Sequence, residues 1–149
     1  MEIRKLTKDD LSFLISVRNA SVDYLHDKRK FTLEQCEKWF NTLKDPYFII
    51  IHNGEYIGYA RTSNWENSSC YIGMDIAPVH RGKGYAVPAY NLLMKELKTN
   101  YNIKELYLEV LSNNHRAKHI YDKLGFIVID TLDYDNLNNI QSIKMVKNG

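Results

Sequence analysis

Asn53-Gly54 is flanked by two β-rich runs in "YFIIIHNGEYIGYARTS", and this stretch constrains the fold more than any other. An Asn-Gly pair between such runs is the strongest short-range hairpin signal, because both residues accept the positive φ that a two-residue turn needs. The chain therefore contains an antiparallel pair near its centre. A further β-like segment, "CYIGMDIA", follows after "NWENSS". Helical patterns lie on both sides of this β core. "EIRKL" at 2–6 reads as a short first strand. Thr7 with Asp10 has the spacing of a capping box, with Asp in place of the usual Glu or Gln. The helix it starts carries Leu11, Leu14, Ile15 and Val22 on one face, and Arg18 on the same line is placed to end at a cleft. Thr32 with Gln35 starts a second helix carrying Leu33, Cys36, Phe40 and Leu43, which stops near Asp45-Pro46.

The second half repeats the alternation. A helix is expected from about Tyr85 to Leu97, a strand over "ELYLEVL" (105–111), and a helix over "NHRAKHIYDKLG" (114–125) with a C-terminal glycine. "FIVIDTL" and "QSIKMVK" close the chain as strands. The order is β-α-α-β-β-β-α-β-α-β-β, which predicts an α+β, three-layer α/β/α domain around a mixed, mostly antiparallel sheet. No linker, repeat or low-complexity tract divides it, so residues 1–149 are expected to be one domain.

Composition excludes several classes. A net charge of +2 is too small to point to nucleic acid, and the one basic run, "DKRK" at 27–30, reads as a solvated loop. Cys36 and Cys70 lack metal spacing and read as idle thiols in a reducing compartment. The start is too polar for a signal peptide and no apolar run approaches membrane-spanning length, so a cytoplasmic protein without a membrane partner is expected. His115 and His119 stand at i, i+4, but without the Glu of HExxH or a third ligand, so no metal is expected. Monomer and homodimer both fit the sequence.

Chemistry concentrates in "HRGKGYA" (80–86), between the strand ending at Ile76 and the helix that follows. Gly82 and Gly84 permit a tight turn and close approach of a ligand. The first helical turn offers unpaired N–H groups and the positive end of the helix dipole, with Arg81 and Lys83 beside it. A phosphate or pyrophosphate fits such a site. The pattern is neither a P-loop nor a dinucleotide fingerprint, and a basic strand–helix turn has the same composition. Pro88 is compatible with a helix there only within its first turn.

A second segment adds weight. "LYLEVLSNNHRAKHIYDKLGF" (106–126) places Asn114 and Tyr121 seven residues apart, nearly on one helix face, with the small Ala117 between them. Together with "IAPVHRGKGYA", this resembles the GNAT superfamily of acyl-CoA N-acyltransferases. Its pyrophosphate loop, Arg/Gln-x-x-Gly-x-Gly/Ala, is matched by Arg81, Gly84 and Ala86. Its later motif is matched by Val110, Asn114, Ala117, Tyr121, Lys123, Gly125 and Phe126. The resemblance implies acetyl-CoA as co-substrate. It also implies a splayed strand at 70–77, in which Met74 and Ile76 present backbone to the pantetheine arm and the Met74 N–H polarises the thioester carbonyl. The backbone from Gly82 through Tyr85 to Ala86 would hold the pyrophosphate, helped by Arg81 and Lys83. Asn114, with Ala117 nearby, would bond the pantetheine or order local backbone.

Tyr121 matches the family's usual general acid. The chemistry agrees: amine attack on a thioester expels a thiolate, and a neutral phenol with a pKa near about 10 can protonate it. A core tyrosine is the plainer alternative. Some relatives carry a Glu base where this chain has Cys70, so that assignment fails here, and Asp75, Glu109, His80 or a water chain are the substitutes. The acceptor is expected to be a small primary amine, with an amino sugar among the candidates. Arg18, Asn19, Asp23, Arg61, Trp65 and Asp75 are its candidate contacts. A protein N-terminal or lysine acetyltransferase and a non-catalytic acyl-CoA-binding module are the alternatives.

Overall fold

The computed structural model describes residues 1–148. Seven strands form one sheet: β1 (Glu2–Lys5), β2 (Tyr47–His52), β3 (Glu55–Glu66), β4 (Ser69–Ile76), β5 (Glu105–Leu111), β6 (Ile127–Asp135) and β7 (Ile140–Asn148). Four α-helices accompany them: α1 (Leu11–Ala20), α2 (Leu33–Thr42), α3 (Ala86–Tyr101) and α4 (His115–Lys123). The sheet order is β1-β2-β3-β4-β5-β7-β6, and β4–β5 is the parallel pair in an otherwise antiparallel ladder. The α+β expectation and its element order hold. Single 3-10 turns at Lys8–Asp10, Val22–Tyr24 and Pro78–His80 are added to it.

Two apolar layers flank the sheet. Phe48, Ile50, Leu108 and Met145 pack with Leu93 and Leu97 of α3 and with Tyr121 of α4. Ile49 and Tyr59 pack on the other face with Leu11, Leu14 and Val17 of α1. The alternation of Phe48, Ile49 and Ile50 between layers is the two-residue period of a strand buried on both sides. The α1 face is corrected at one position. Val17 is buried, whereas the expected Val22 lies beyond the helix end in a 3-10 turn and is half-buried. Leu33, expected on the apolar face of α2, is exposed in its first turn, and Cys36 carries the burial.

The hairpin turns at Asn53 (φ 52°) and Gly54 (φ 77°), both left-handed, as the Asn-Gly signal requires. The Thr7–Asp10 signal is also realised. The Asp10 carboxylate accepts from Thr7 N (2.8 Å), Thr7 Oγ1 (3.0 Å) and Arg4 Nη1 (2.7 Å). Asp10→Ala is therefore expected to cost about 1–2 kcal/mol, read as a lower urea midpoint. The hydrogen bond from Arg4 holds the Asp10 carboxyl well below its usual range. Its contribution is complete above the ordinary carboxylate pKa of about 3.9 and fades as pH falls below that. The deficit of the variant should accordingly be largest near neutral pH and shrink in acid.

Candidate active site

The first feature of the site is a gap. β4 and β5 pair from Ser69↔Glu105 to Tyr71↔Tyr107 and then separate, although β4 continues to Ile76 and β5 to Leu111. β3 and β7 remain paired to the outer sides of the two strands. Ala77 N donates to Ile57 O (2.8 Å) on the β3 side. Backbone groups alternate along an antiparallel ladder, so Met74 and Ile76 turn theirs away from β3, into the gap. A guest with amide groups can pair with that edge.

At the C-terminal end of β4 the chain passes through the glycine loop into α3. Gly82 (φ 77°) and Gly84 (φ 79°) are both left-handed, a conformation that disfavours any side chain with a Cβ. Tyr85 caps α3 and packs 4.8 Å from the His52 ring. Pro88 is the third residue of α3, inside the first turn, where its missing N–H breaks no helical bond. The N-terminus of this sixteen-residue helix and the adjoining loop leave unpaired N–H groups together, the chemistry that suits an anion.

The charges around the loop differ from expectation in one respect. Arg81 does not face the concavity. Its Nε donates to Ile76 O (2.9 Å) and its Nη2 to Ser21 Oγ (2.8 Å), which ties the end of β4 to the end of α1. Ser21 is sixty residues away in sequence, so the local pattern carried no sign of this bond. Lys83 stays exposed on the loop. Arg116, in the first turn of α4, brings Nη2 within 3.0 Å of where a Gly82 Cβ would stand. It is a second cation at the loop that sequence reasoning missed, because the fold rather than the spacing brings α4 there.

Tyr121 lies buried on the α3/α4 face of the sheet. Its hydroxyl is 2.9 Å from the Tyr90 hydroxyl of α3, with the rings edge to face at 5.5 Å. Burial pushes the Tyr121 phenol up, and its hydrogen bond with Tyr90 pulls it back. Tyr121 is thus held neutral, with a proton to give. Tyr90 carried no sequence signal. The Asn114 side chain caps α4 by accepting from Ala117 N (3.2 Å), so of its two expected roles the ordering of backbone is the one present.

The opposite face carries a cleft of about 590 Å³ between α1, α2 and the exposed halves of β3, β4 and β5. Arg18, Arg61, His26, Tyr59 and Glu109 are among its walls. Arg61 lies against β4: a Cβ at Gly73 would come 2.5 Å from its Cζ, so a side chain there would push the guanidinium aside. Arg61 Nη1 donates to Asp75 Oδ2 (3.0 Å), which also accepts from the Tyr59 hydroxyl. His26, unnoticed in the sequence, bonds Ser142 Oγ (2.7 Å) and stands 3.7 Å from Glu109. Burial pushes its pKa down, so it is neutral at physiological pH.

The remaining expected contacts lie elsewhere. Asn19 uses its whole amide on Phe31, donating to O (2.9 Å) and accepting from N (3.1 Å); it closes the loop after α1 rather than facing the cleft. Trp65 packs beside Tyr101, with Nε1 on Thr62 Oγ1 (3.0 Å), and Asp23 sits on the turn after α1, away from the cleft walls. His80 stands 3.6 Å from Glu55 at the other end of β4, also outside the cleft walls. Cys70 is buried, which raises its thiol to about 12 and keeps it inert at neutral pH.

A family model described as the acetyltransferase (GNAT) family matches residues 12–126, an interval that holds the gap, the loop and Tyr121. The chain belongs to that family. It is an acetyltransferase by this membership, and the resemblance read from the two motifs is correct. Among curated relatives, the spermidine N(1)-acetyltransferase of Escherichia coli K12 is 30% identical over 155 residues, covering 95% of this chain and 80% of the relative. An N-alpha-acetyltransferase of Saccharolobus solfataricus is 34% identical over 150 residues, covering 89% of this chain and 90% of the relative. Among solved structures, a putative acetyltransferase from Salmonella typhimurium with its cofactor acetyl-CoA superposes with TM-score 0.82 at 18% identity, covering 99% and 93% of the two chains. That likeness concerns the fold.

Proposed function

We propose that this N-acetyltransferase moves the acetyl group of acetyl-CoA to a small primary amine by direct attack on the thioester. The observation that carries the reading is the β4–β5 gap, with the glycine loop at one end and a neutral buried phenol beside it. The pantetheine amides pair with the backbone of Met74 and the N–H of Ile76, whose carbonyl Arg81 already holds. The pyrophosphate rests on the loop from Gly82 to Ala86, with Lys83 and Arg116 alongside. Acetyl-CoA held by the Salmonella typhimurium structural neighbour supports this co-substrate. The amine enters from the α1/α2 cleft, an arrangement that needs no metal, nucleic acid or membrane partner. The protein acts in the cytoplasm as one domain spanning 1–149. Among the described residues no helix is long and apolar enough to cross a membrane.

In the reaction the neutral amine nitrogen attacks the thioester carbon while the Met74 N–H polarises the carbonyl oxygen. The tetrahedral intermediate collapses, the C–S bond breaks, and Tyr121 gives its phenolic proton to the departing thiolate. The nitrogen loses its extra proton towards the cleft. There, neutral His26 and Glu109 are open to it, whereas Asp75 is engaged by Tyr59 and Arg61. Calorimetric titration with acetyl-CoA, followed by thiol release across a panel of amines, tests the reading. Binding that weakens sharply for a fragment lacking the pyrophosphate, together with amine-dependent thiol release, is the expected result. Tight binding with no release for any amine or peptide would leave a binding module instead, and no binding would sink both.

A further inference from the structure

The wall of the acceptor cleft does not select the sign of a guest's charge. Arg29 pairs with Asp27 (Nη2 to Oδ2, 2.6 Å) and Arg61 with Asp75 (Nη1 to Oδ2, 3.0 Å). Arg18 and Glu109 remain, one of each sign, and burial keeps His26 neutral. Shape and apolar surface are left to choose the acceptor. Ile15, Leu25, Phe31, Trp39, Tyr47 and Tyr71 all line the cleft, and each is only half-buried. Ammonium and hydroxyl groups gain nothing from such surface, whereas an apolar group that covers it is drawn out of water.

Arg61 supplies the most specific part of that surface. A Cβ placed on Gly73 would stand 2.5 Å from Arg61 Cζ and 2.6 Å from both Nε and Nη2. Three nearly equal distances mean that the guanidinium meets Gly73 face-on rather than edge-on. One face therefore rests on the β4 backbone, and the other is turned away from the sheet, towards α1 and α2. Asp75, itself held by the Tyr59 hydroxyl, fixes the group by its edge, and 33% of the side chain stays exposed. Arg18 lies over the Phe31 ring at 4.4 Å; among the described residues no ring covers Arg61 in that way. Tyr47, the register partner of Arg61 on β2, stands edge to face with Trp39 of α2, ring centroids 4.9 Å apart. An open, immobilised cationic plane thus has an aromatic wall beside it, one residue from Met74 and the gap.

We infer that the acceptor is a primary amine carrying a flat aromatic ring, which lies on the open face of Arg61 against Tyr47 and Trp39. A short arm then brings its nitrogen to the β4–β5 gap. This rests on the acetyltransferase reading above and narrows it. A guanidinium already paired with a carboxylate still stacks on a ring, because the stack uses its plane and the ion pair uses its edge. A sugar or a polyamine has no ring face to offer that plane and leaves the aromatic wall in water. The acceptor of this chain therefore differs in kind from that named for the spermidine-acetylating relatives.

The test compares kcat/KM at fixed acetyl-CoA for four amines: 2-phenylethylamine, ethylamine, glucosamine and spermidine. The first should exceed the second, which is the same arm without the ring, by about 30-fold or more, mostly through KM, as burial of a phenyl group allows. It should exceed the other two as well. Trp39→Ala should remove most of the advantage over ethylamine, and Trp39→Phe should keep most of it. Arg61→Lys keeps the charge beside Asp75 but has no plane, so the advantage should fall by about threefold or more. Calorimetric binding of acetyl-CoA should stay as in the parent throughout, and a thermal melt confirms that each variant is folded. Ethylamine, glucosamine or spermidine equal to or better than 2-phenylethylamine in the parent protein overturns the inference, whatever the variants do. So does a loss in Trp39→Ala that falls equally on all four amines, or no turnover of 2-phenylethylamine by protein that binds acetyl-CoA. Failure to bind acetyl-CoA at all falls instead on the underlying acetyltransferase reading, and the inference falls with it.

Discussion

Tyr121→Phe should lower kcat by about 10²–10⁴-fold while leaving acetyl-CoA affinity nearly as it is, since a positioned proton donor contributes on that scale. The side chain is buried and keeps its ring contacts with Tyr90 and Phe126 in the variant, so the fold loses only one hydrogen bond. For the Tyr121 proton to be free, Tyr90 must donate to Tyr121, which makes Tyr90 a positioning residue. Its bond also counteracts the upward push that burial exerts on the Tyr121 phenol. Tyr90→Phe removes that bond, so kcat should fall by about tenfold, and the two changes together should cost little more than Tyr121→Phe alone. Steady-state rates with both single variants and the double variant, beside calorimetry with acetyl-CoA, provide the check. A Tyr121→Phe protein with unaltered kcat would return Tyr121 to the role of a core tyrosine.

Gly84→Val is expected to weaken acetyl-CoA binding by about tenfold or more and to do little else. Gly84 is left-handed (φ 79°) and a Cβ there would meet nothing within 4 Å. The protein itself therefore has room for the side chain. What suffers is the backbone, which costs about 1–2 kcal/mol to hold a branched residue in that region and relaxes by moving the loop amides off the anion. Calorimetry with acetyl-CoA and a thermal melt separate the two effects. A large fall in affinity with a melting shift of a few degrees supports a phosphate cradle. Parent-like affinity would mean that the loop is only a strand–helix connection. Lys83→Ala should show a smaller, salt-sensitive loss, because an exposed cation acts through a screened field whereas the loop amides act by geometry.

Local sequence determined the elements and the two motifs. Alternation in "YFIIIH", the Asn53-Gly54 turn and the Thr7 and Thr32 caps are each set by backbone preferences over a few residues, and they appear where those preferences put them. The glycine loop and Tyr121 were legible for the same reason: both sit in short patterns whose spacing the fold preserves. Tertiary structure alone decided which side chains meet. Arg81 turns inward because Ser21, at the end of α1, lies beside the end of β4. Arg116 reaches Gly82 because α4 lies beside the loop, Tyr90 reaches Tyr121 because α3 and α4 share one face of the sheet, and Arg61 lies over Gly73 because the two are register partners across β3 and β4. Periodicity tells which face of an element is buried, but not which distant element covers it or where a long flexible side chain ends.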